Sequence, residues 1–182
     1  MFPEISVGPF LLRKIIAADQ SKIFEGLSHP EVIKYYGVCY ATLESSIAQM
    51  DFYNDLLTNE TGTWWAICYK DNAADLIGAC GFNNWHKEHK NIEIGYWLLP
   101  GKQGAGIMSK CVTAVIQYAF NNLDIHRIEA VVEDGNGRSA KLLTSLGFDY
   151  EGTRKNCEIK NGRFISLQYF ALLNPNNDPV TS

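Results

Sequence analysis

Residues 99–110 read LPGKQGAGIMSK: an apolar run ends here, a glycine-rich turn follows, and a helical pattern begins. That pattern extends from Gly104 to Phe120, with Ile107, Met108, Cys111, Val112, Val115 and Ala119 on one stripe, the spacing of an amphipathic helix. The first turn of such a helix leaves backbone N–H groups without partners, and the helix dipole favours negative charge beside them. Glycines let an anion approach that backbone closely. Gln103, Gly104, Ala105 and Gly106 are therefore the expected donors to a phosphate.

Upstream, three runs of strand character, Thr63 to Tyr69, Leu76 to Asn83 and Asn91 to Leu98, are separated by the turn-rich KDNAAD and WHKEHK segments. They predict an antiparallel meander. A helical block from Ala17 to Thr58 and a short extended piece, Phe10 to Arg13, precede it. Downstream, a strand from His126 to Val132 follows the long helix, which makes that helix a crossover between parallel strands. A short helix, Ser139 to Leu146, has Asn136 as its N-cap and Gly147 as its stop. Strands Phe148 to Thr153 and Phe164 to Leu172, turned by Asn161-Gly162, complete the pattern. The expectation is one α+β domain over residues 1–173, a mixed and mostly antiparallel sheet flanked by helices, with a loose tail at 174–182.

At 182 residues, with 46% hydrophobic and 20% charged residues, the chain suits a single core. Lys and Arg number 16 against 20 Asp and Glu, a net charge of -4. That balance argues against direct nucleic-acid binding and turns the search toward small molecules or basic partners. No run approaches the roughly 20 apolar residues of a membrane span. The opening MFPEISVGPF lacks the basic and apolar regions of a secretory leader, so a cytoplasmic protein is expected. The 5 cysteines are widely spaced without a C-x-x-C pair and read as buried small hydrophobes, with no metal site implied.

Three phosphate-binding patterns compete for the turn. A Walker A loop fails twice, because Gly95 lies one residue too far and Gln103 stands where a hydroxyl residue is needed. A dinucleotide fingerprint lacks its third glycine, replaced by Ser109. The third pattern is Gln or Arg, two residues, Gly, one residue, then Gly or Ala. Gln103 to Met108 fits it except at Met108, where a small residue is usual. About thirty residues on come Asn136-Gly137-Arg138-Ser139 and then Gly147-Phe148-Asp149-Tyr150-Glu151-Gly152.

The turn, this N-x-x-S segment and the G-F-x-x-E-G strand, with Glu93 to Trp97 before them, resemble the GNAT superfamily of N-acetyltransferases and its RimJ/RimL-like branch, which acetylates ribosomal-protein N-termini. The resemblance covers the last hundred residues well and the first sixty by general layout. It implies a GNAT fold in which the parallel strands Ile92 to Leu98 and Arg127 to Val132 splay apart, with acetyl-coenzyme A wedged between them. Its amide-rich arm would replace the missing strand partners. Leu98, Gln103, Gly104, Ala105, Gly106, Ile107, Met108, Asn136, Arg138 and Ser139 are the implied cofactor contacts. Lys102 and Lys141 are further candidate phosphate partners.

Direct attack of an amine on a thioester needs a neutral amine and a proton for the leaving thiolate, with no covalent enzyme intermediate. The resemblance assigns the thiolate's proton to Ser139 and the water that takes the amine's proton to Glu158. Glu93, beside the cofactor gap, is a reserve base. The other reading of Ser139 is a helix cap, and that of Glu158 an exposed strand carboxylate. An α-amino group with pKa near 7.8 is roughly a quarter neutral at pH 7 and asks little of its base. A protein N-terminus is thus the leading acceptor, with a small amine or polyamine as the alternative. A non-catalytic acyl-coenzyme A binding module is the reading from another class, and dimer formation is left open. One or two of Trp64, Trp65, Trp85 and Trp97 could line an acceptor groove shaped by the helical block.

Overall fold

Residues 63–69, TWWAICY, form a strand whose side chains alternate between two faces. Trp65 and Ile67 join one apolar cluster, whereas Trp64, Ala66 and Cys68 join another. This strand is part of an eight-stranded sheet in the computed structural model of the protein, which describes residues 2–176. The strands are β1 (Ile5–Val7), β2 (Phe10–Lys14), β3 (Thr63–Tyr69), β4 (Asn72–His86), β5 (Asn91–Leu98), β6 (Arg127–Glu133), β7 (Asp149–Lys160) and β8 (Arg163–Leu173). Their spatial order is β1-β2-β3-β4-β5-β6-β8-β7. Only β5 and β6 run parallel; the other neighbours are antiparallel.

Helices cover both faces. On one lie α4 (Ile107–Asn122) and α5 (Gly137–Ser145), which bury Cys111, Val112, Val115, Ala119 and Leu143 in the first cluster. On the other lie α1 (Gln20–Ser28), α2 (Pro30–Ile33) and α3 (Ile47–Thr58), with Ile23, Leu27, Tyr53 and Leu56 in the second. The GNAT fold, with its parallel pair inside a mostly antiparallel sheet, is as the sequence motifs imply.

Several boundaries shift for local reasons. The expected helical block breaks at 34–46, where Thr42 and Ser45 exchange hydrogen bonds between their hydroxyls and each other's backbone N–H at 3.2 and 3.1 Å. Such side chains compete with helical backbone bonding. Of KDNAAD only Lys70 and Asp71 turn; β4 starts at Asn72, with register shifts around Cys68. α4 starts at Ile107 instead of Gly104, because Gly104 and Gly106 have φ of 83° and 71°, values a helix excludes. Asn161 and Gly162 both have positive φ and close the β7–β8 hairpin. The tail does not loosen at its first residue: Asn174 is buried, its N–H donates to His126 O at 2.7 Å and its Nδ2 to Ile125 O at 3.0 Å. The rest of that expected tail, residues 177–182, lies outside the described residues.

Candidate active site

β5 and β6 pair only at Asn91–Arg127, Ile92–Ile128 and Glu93–Glu129. β5 then follows β4 as far as Leu98, and β6 follows β8 as far as Glu133. Each strand keeps its antiparallel partner, so the two part from one another. The facing edges, 94–98 and 130–133, have no strand partner there and line a cleft of about 1260 Å³. Unpaired backbone edges of this kind suit an extended, amide-containing ligand.

One end of the cleft is the start of α4. Gly106 is the N-cap, with φ 71° and no side-chain cap. The first-turn N–H groups of Ile107, Met108 and Ser109, which line the cleft, are thus left as donors at the positive end of a 16-residue helix. Gln103 ties the turn together: its Nε2 donates to Leu98 O at 3.4 Å and its Oε1 accepts from Arg138 on α5. Arg138 is exposed at this end and supplies positive charge. These groups fit a pyrophosphate.

Where the strands part, Tyr96 Oη and Ser139 Oγ are 2.7 Å apart. Asn136 Oδ1 accepts from Ser139 N at 3.2 Å, so Asn136 caps α5 and leaves the serine hydroxyl to the phenol. Burial pushes the Tyr96 phenol up to about 12, against a smaller downward pull from its bond to Ser139. Both hydroxyls therefore keep their protons at neutral pH. Tyr96 follows Ile92 and Ile94 on the face that carries α4 and α5.

Glu93, Gly95 and Trp97 alternate with these residues and face α1 to α3, where Trp97 packs in the second cluster. Glu93 lines the cleft and its Oε2 accepts from Asn84 Nδ2 at 2.9 Å. Trp64, Tyr36, Tyr40 and Phe52 complete this side. Burial, with neighbouring Tyr53 and Tyr40, holds the Tyr36 phenol well above its usual range, and Tyr40 Oη donates to Gln49 Oε1 at 2.9 Å. The two chemical groups thus approach one opening from opposite faces of the sheet.

The acetyltransferase (GNAT) domain family matches residues 10–149 of this sequence. The chain belongs to the GNAT acetyltransferases. It is accordingly an acetyl-coenzyme A dependent N-acetyltransferase. An N-acetyltransferase of Bacillus subtilis (strain 168), YoaA, is 31% identical over 176 residues, covering 96% of this chain and 99% of YoaA. Among solved structures, the RimL ribosomal L7/L12 α-N-protein acetyltransferase with coenzyme A superposes with a TM-score of 0.85 at 20% identity, covering 96% of this chain and 100% of that one. The Vibrio cholerae spermidine N-acetyltransferase with coenzyme A and spermine gives 0.80 at 20% identity, with coverage of 91% and 96%. At such identities these two structures establish the shared fold.

In this GNAT acetyltransferase the structure gathers Leu98, Gln103, Gly104, Gly106, Ile107, Met108, Asn136, Arg138 and Ser139 on the cleft wall. Ala105 is exposed and is not on that wall. Met108 does not crowd the turn, because its side chain is 9% exposed and packs into the first cluster. Lys102 turns its Nζ over the Tyr69 ring, 5.3 Å from the centroid, and Lys141 is exposed off the wall. Glu158 is not brought to the cleft: it sits exposed on the edge strand β7, opposite Ile165 and beyond a register shift at Arg154–Glu158.

Tyr96, which no sequence motif singled out, is the candidate residue that the fold adds beside Ser139. Its place two residues after Ile94 marked the strand face, but nothing local indicated Ser139 as its partner. Arg127 does not engage Glu93; it pairs with Glu129 at 2.7 Å and with Glu151, whose carboxyl it holds below the usual range. Among the described residues Glu93 therefore has no guanidinium partner. Burial raises the Cys80 thiol and pushes Cys111 up to about 12, so neither is a ready thiolate nucleophile. Among the described residues no cluster of three His, Cys, Asp or Glu forms a metal site, and no helix is long and apolar enough to cross a membrane.

Proposed function

We propose that this enzyme acetylates a protein N-terminal α-amino group of the ribosomal-protein type, by direct attack and without a covalent enzyme intermediate. Acetyl-coenzyme A supplies the activated acyl group as a thioester. The observation that carries the reading is the placement of two hydroxyl donors, Ser139 and Tyr96, on one side of the strand gap and a carboxylate, Glu93, on the other. One side can deliver a proton to a departing thiolate while the other receives one from the amine.

In this reading the first-turn N–H groups of α4 and Arg138 hold the pyrophosphate. The open edges of β5 and β6 hold the amide-containing arm. Ser139 gives its proton to the thiolate and takes the Tyr96 phenol proton in its place; the phenolate then regains a proton from solvent as Glu93 releases the one it took from the amine. Glu93, directly or through one water, takes the proton of the amine. It replaces Glu158 in that role because Glu158 lies off the cleft. The ribosomal-protein-serine acetyltransferase of Escherichia coli (strain K12), 31% identical over 97 residues and 53% of this chain, supports the acceptor class.

Thiol release from acetyl-coenzyme A in the presence of three amines tests this: a free-N-terminus peptide, the same peptide blocked at its N-terminus but carrying lysine, and spermidine. Release with the free peptide alone is expected. Turnover confined to spermidine would exclude the N-terminal acceptor and establish the polyamine alternative.

A further inference from the structure

Trp64 is 6% exposed and lies on the cleft wall. Strand register puts it in one row with Gly81 of β4 and Gly95 of β5. A Cβ on Gly95 would stand 2.7 Å from the indole Cζ2 and 2.8 Å from Cη2, and one on Gly81 would meet Thr63 O at 2.3 Å as well as the indole Cγ at 2.6 Å. Gly95 is thus the berth of the indole, which reaches β5. Its Nε1 is a buried donor that meets no hydrogen-bond partner, the sole such side-chain atom found among the described residues. The other two buried indoles are satisfied: Trp97 Nε1 donates to Tyr53 Oη at 3.2 Å and Trp65 Nε1 to Pro3 O at 2.7 Å. Buried N–H groups are rarely left unmatched, and those that are call for an explanation.

Gly95, beneath the ring, is two residues from Glu93 on the same face, about 7 Å along the strand. An amine at Glu93 therefore has the indole N–H one or two peptide units away. A protonated polyamine offers that N–H only further donors, whereas a peptide follows its α-amine with carbonyl oxygens.

We propose that Trp64 is a specificity-determining residue, whose indole N–H donates to a carbonyl oxygen of the first or second residue of a peptidic acceptor and so selects peptide N-termini over polyamines. This rests on the acetyl-transfer reading of the cleft given above. The N–H is sealed from solvent, so the carbonyl reaches it by displacing its cover. Tyr36 and Tyr40, on or next to the helix-free segment 34–46, pack against the same cluster. A site built to bond a carbonyl discriminates against acceptors that lack one, because its donor is then stranded.

The test changes both protein and acceptor. Wild type and Trp64→Phe are assayed for thiol release with a tripeptide amide, an alkylamine of equal length and spermidine, compared at equal neutral-amine concentration. The substitution should lower the ratio of kcat/KM for the peptide to that for the alkylamine about tenfold, chiefly through the peptide's KM. Equal losses on all three acceptors would overturn the inference alone. If Trp64→Phe does not fold, the wild type decides: it must favour the peptide over the alkylamine about tenfold, and parity overturns the inference. A wild type that turns over none of the three amines overturns the transferase reading and the inference with it.

Discussion

The phenol oxygen of Tyr96 and the hydroxyl oxygen of Ser139 lie 2.7 Å apart, although 43 positions separate them in the chain. The bond joins the end of β5 to the first turn of α5 across the cleft. In the proposed mechanism this half-buried phenol is the neighbour from which the serine recovers a proton. Ser139→Ala should lower kcat about 10²-fold or more, and Tyr96→Phe about tenfold, with coenzyme A affinity nearly unchanged. The double variant should fall little below Ser139→Ala, since both act on one proton path. Additive losses in single-turnover rates would separate the two residues.

The same phenol carries a pH signature. Its folded-state pKa is raised to about 12 by burial, above the ordinary value of about 10. The folded protein therefore keeps a proton that the unfolded chain releases. The stability tied to it is whole below about pH 10 and is lost as pH climbs through about 12. A kcat profile should show no falling limb below about pH 10, and Tyr96→Phe should flatten the alkaline loss of stability measured by denaturant titration.

Glu93 and Glu158 make opposite forecasts. Glu93→Gln should lower kcat/KM about 10²-fold at pH 7. The deficit should shrink by pH 9, where an α-amino group is neutral without help. Glu158→Gln should leave turnover within about twofold of wild type, the usual small effect of a change at an exposed position away from the site. Thiol-release assays across that pH range compare them directly.

Gly106 tests the anion end. It holds φ 71° at the N-cap of α4, and a Cβ there would meet nothing within 4 Å. Within the protein itself the strain of a side chain there is thus conformational. Gly106→Ala should weaken coenzyme A binding about five- to tenfold, the equivalent of roughly 1 kcal/mol of left-handed strain. Gly106→Asn should recover part of it, because Asn tolerates that conformation better. Calorimetric titration measures both.

Lys160 ties together two residues that line the cleft, Lys34 and Glu133. Its Nζ donates to Lys34 O at 2.8 Å and pairs with Glu133 at 2.7 Å, so the β7–β8 hairpin grips both the 34–46 segment and the end of β6. Lys160→Met should cost about 0.5–1 kcal/mol of stability, speed amide exchange in 34–46, and raise acceptor KM a few-fold while coenzyme A affinity holds.

Features that depend on neighbours along the chain were legible before folding. Glycines at 104 and 106, the Asn136 cap, the Asn161-Gly162 turn and the alternation in 63–69 each act within a few residues, and together they specified the meander, the crossover helix and the glycine-rich turn. The motif order was enough to point to the GNAT fold. Tertiary structure decided what depends on register and on contacts across long separations. It paired Tyr96 with Ser139, placed Glu93 opposite them, and left Glu158 on an outer strand whose bulged register no local pattern encodes. It also seated Trp64 over Gly95 with its N–H unmatched. Hydrogen bonds between side chains on separate elements depend on how strands align and splay, and that alignment exists only once the sheet has formed.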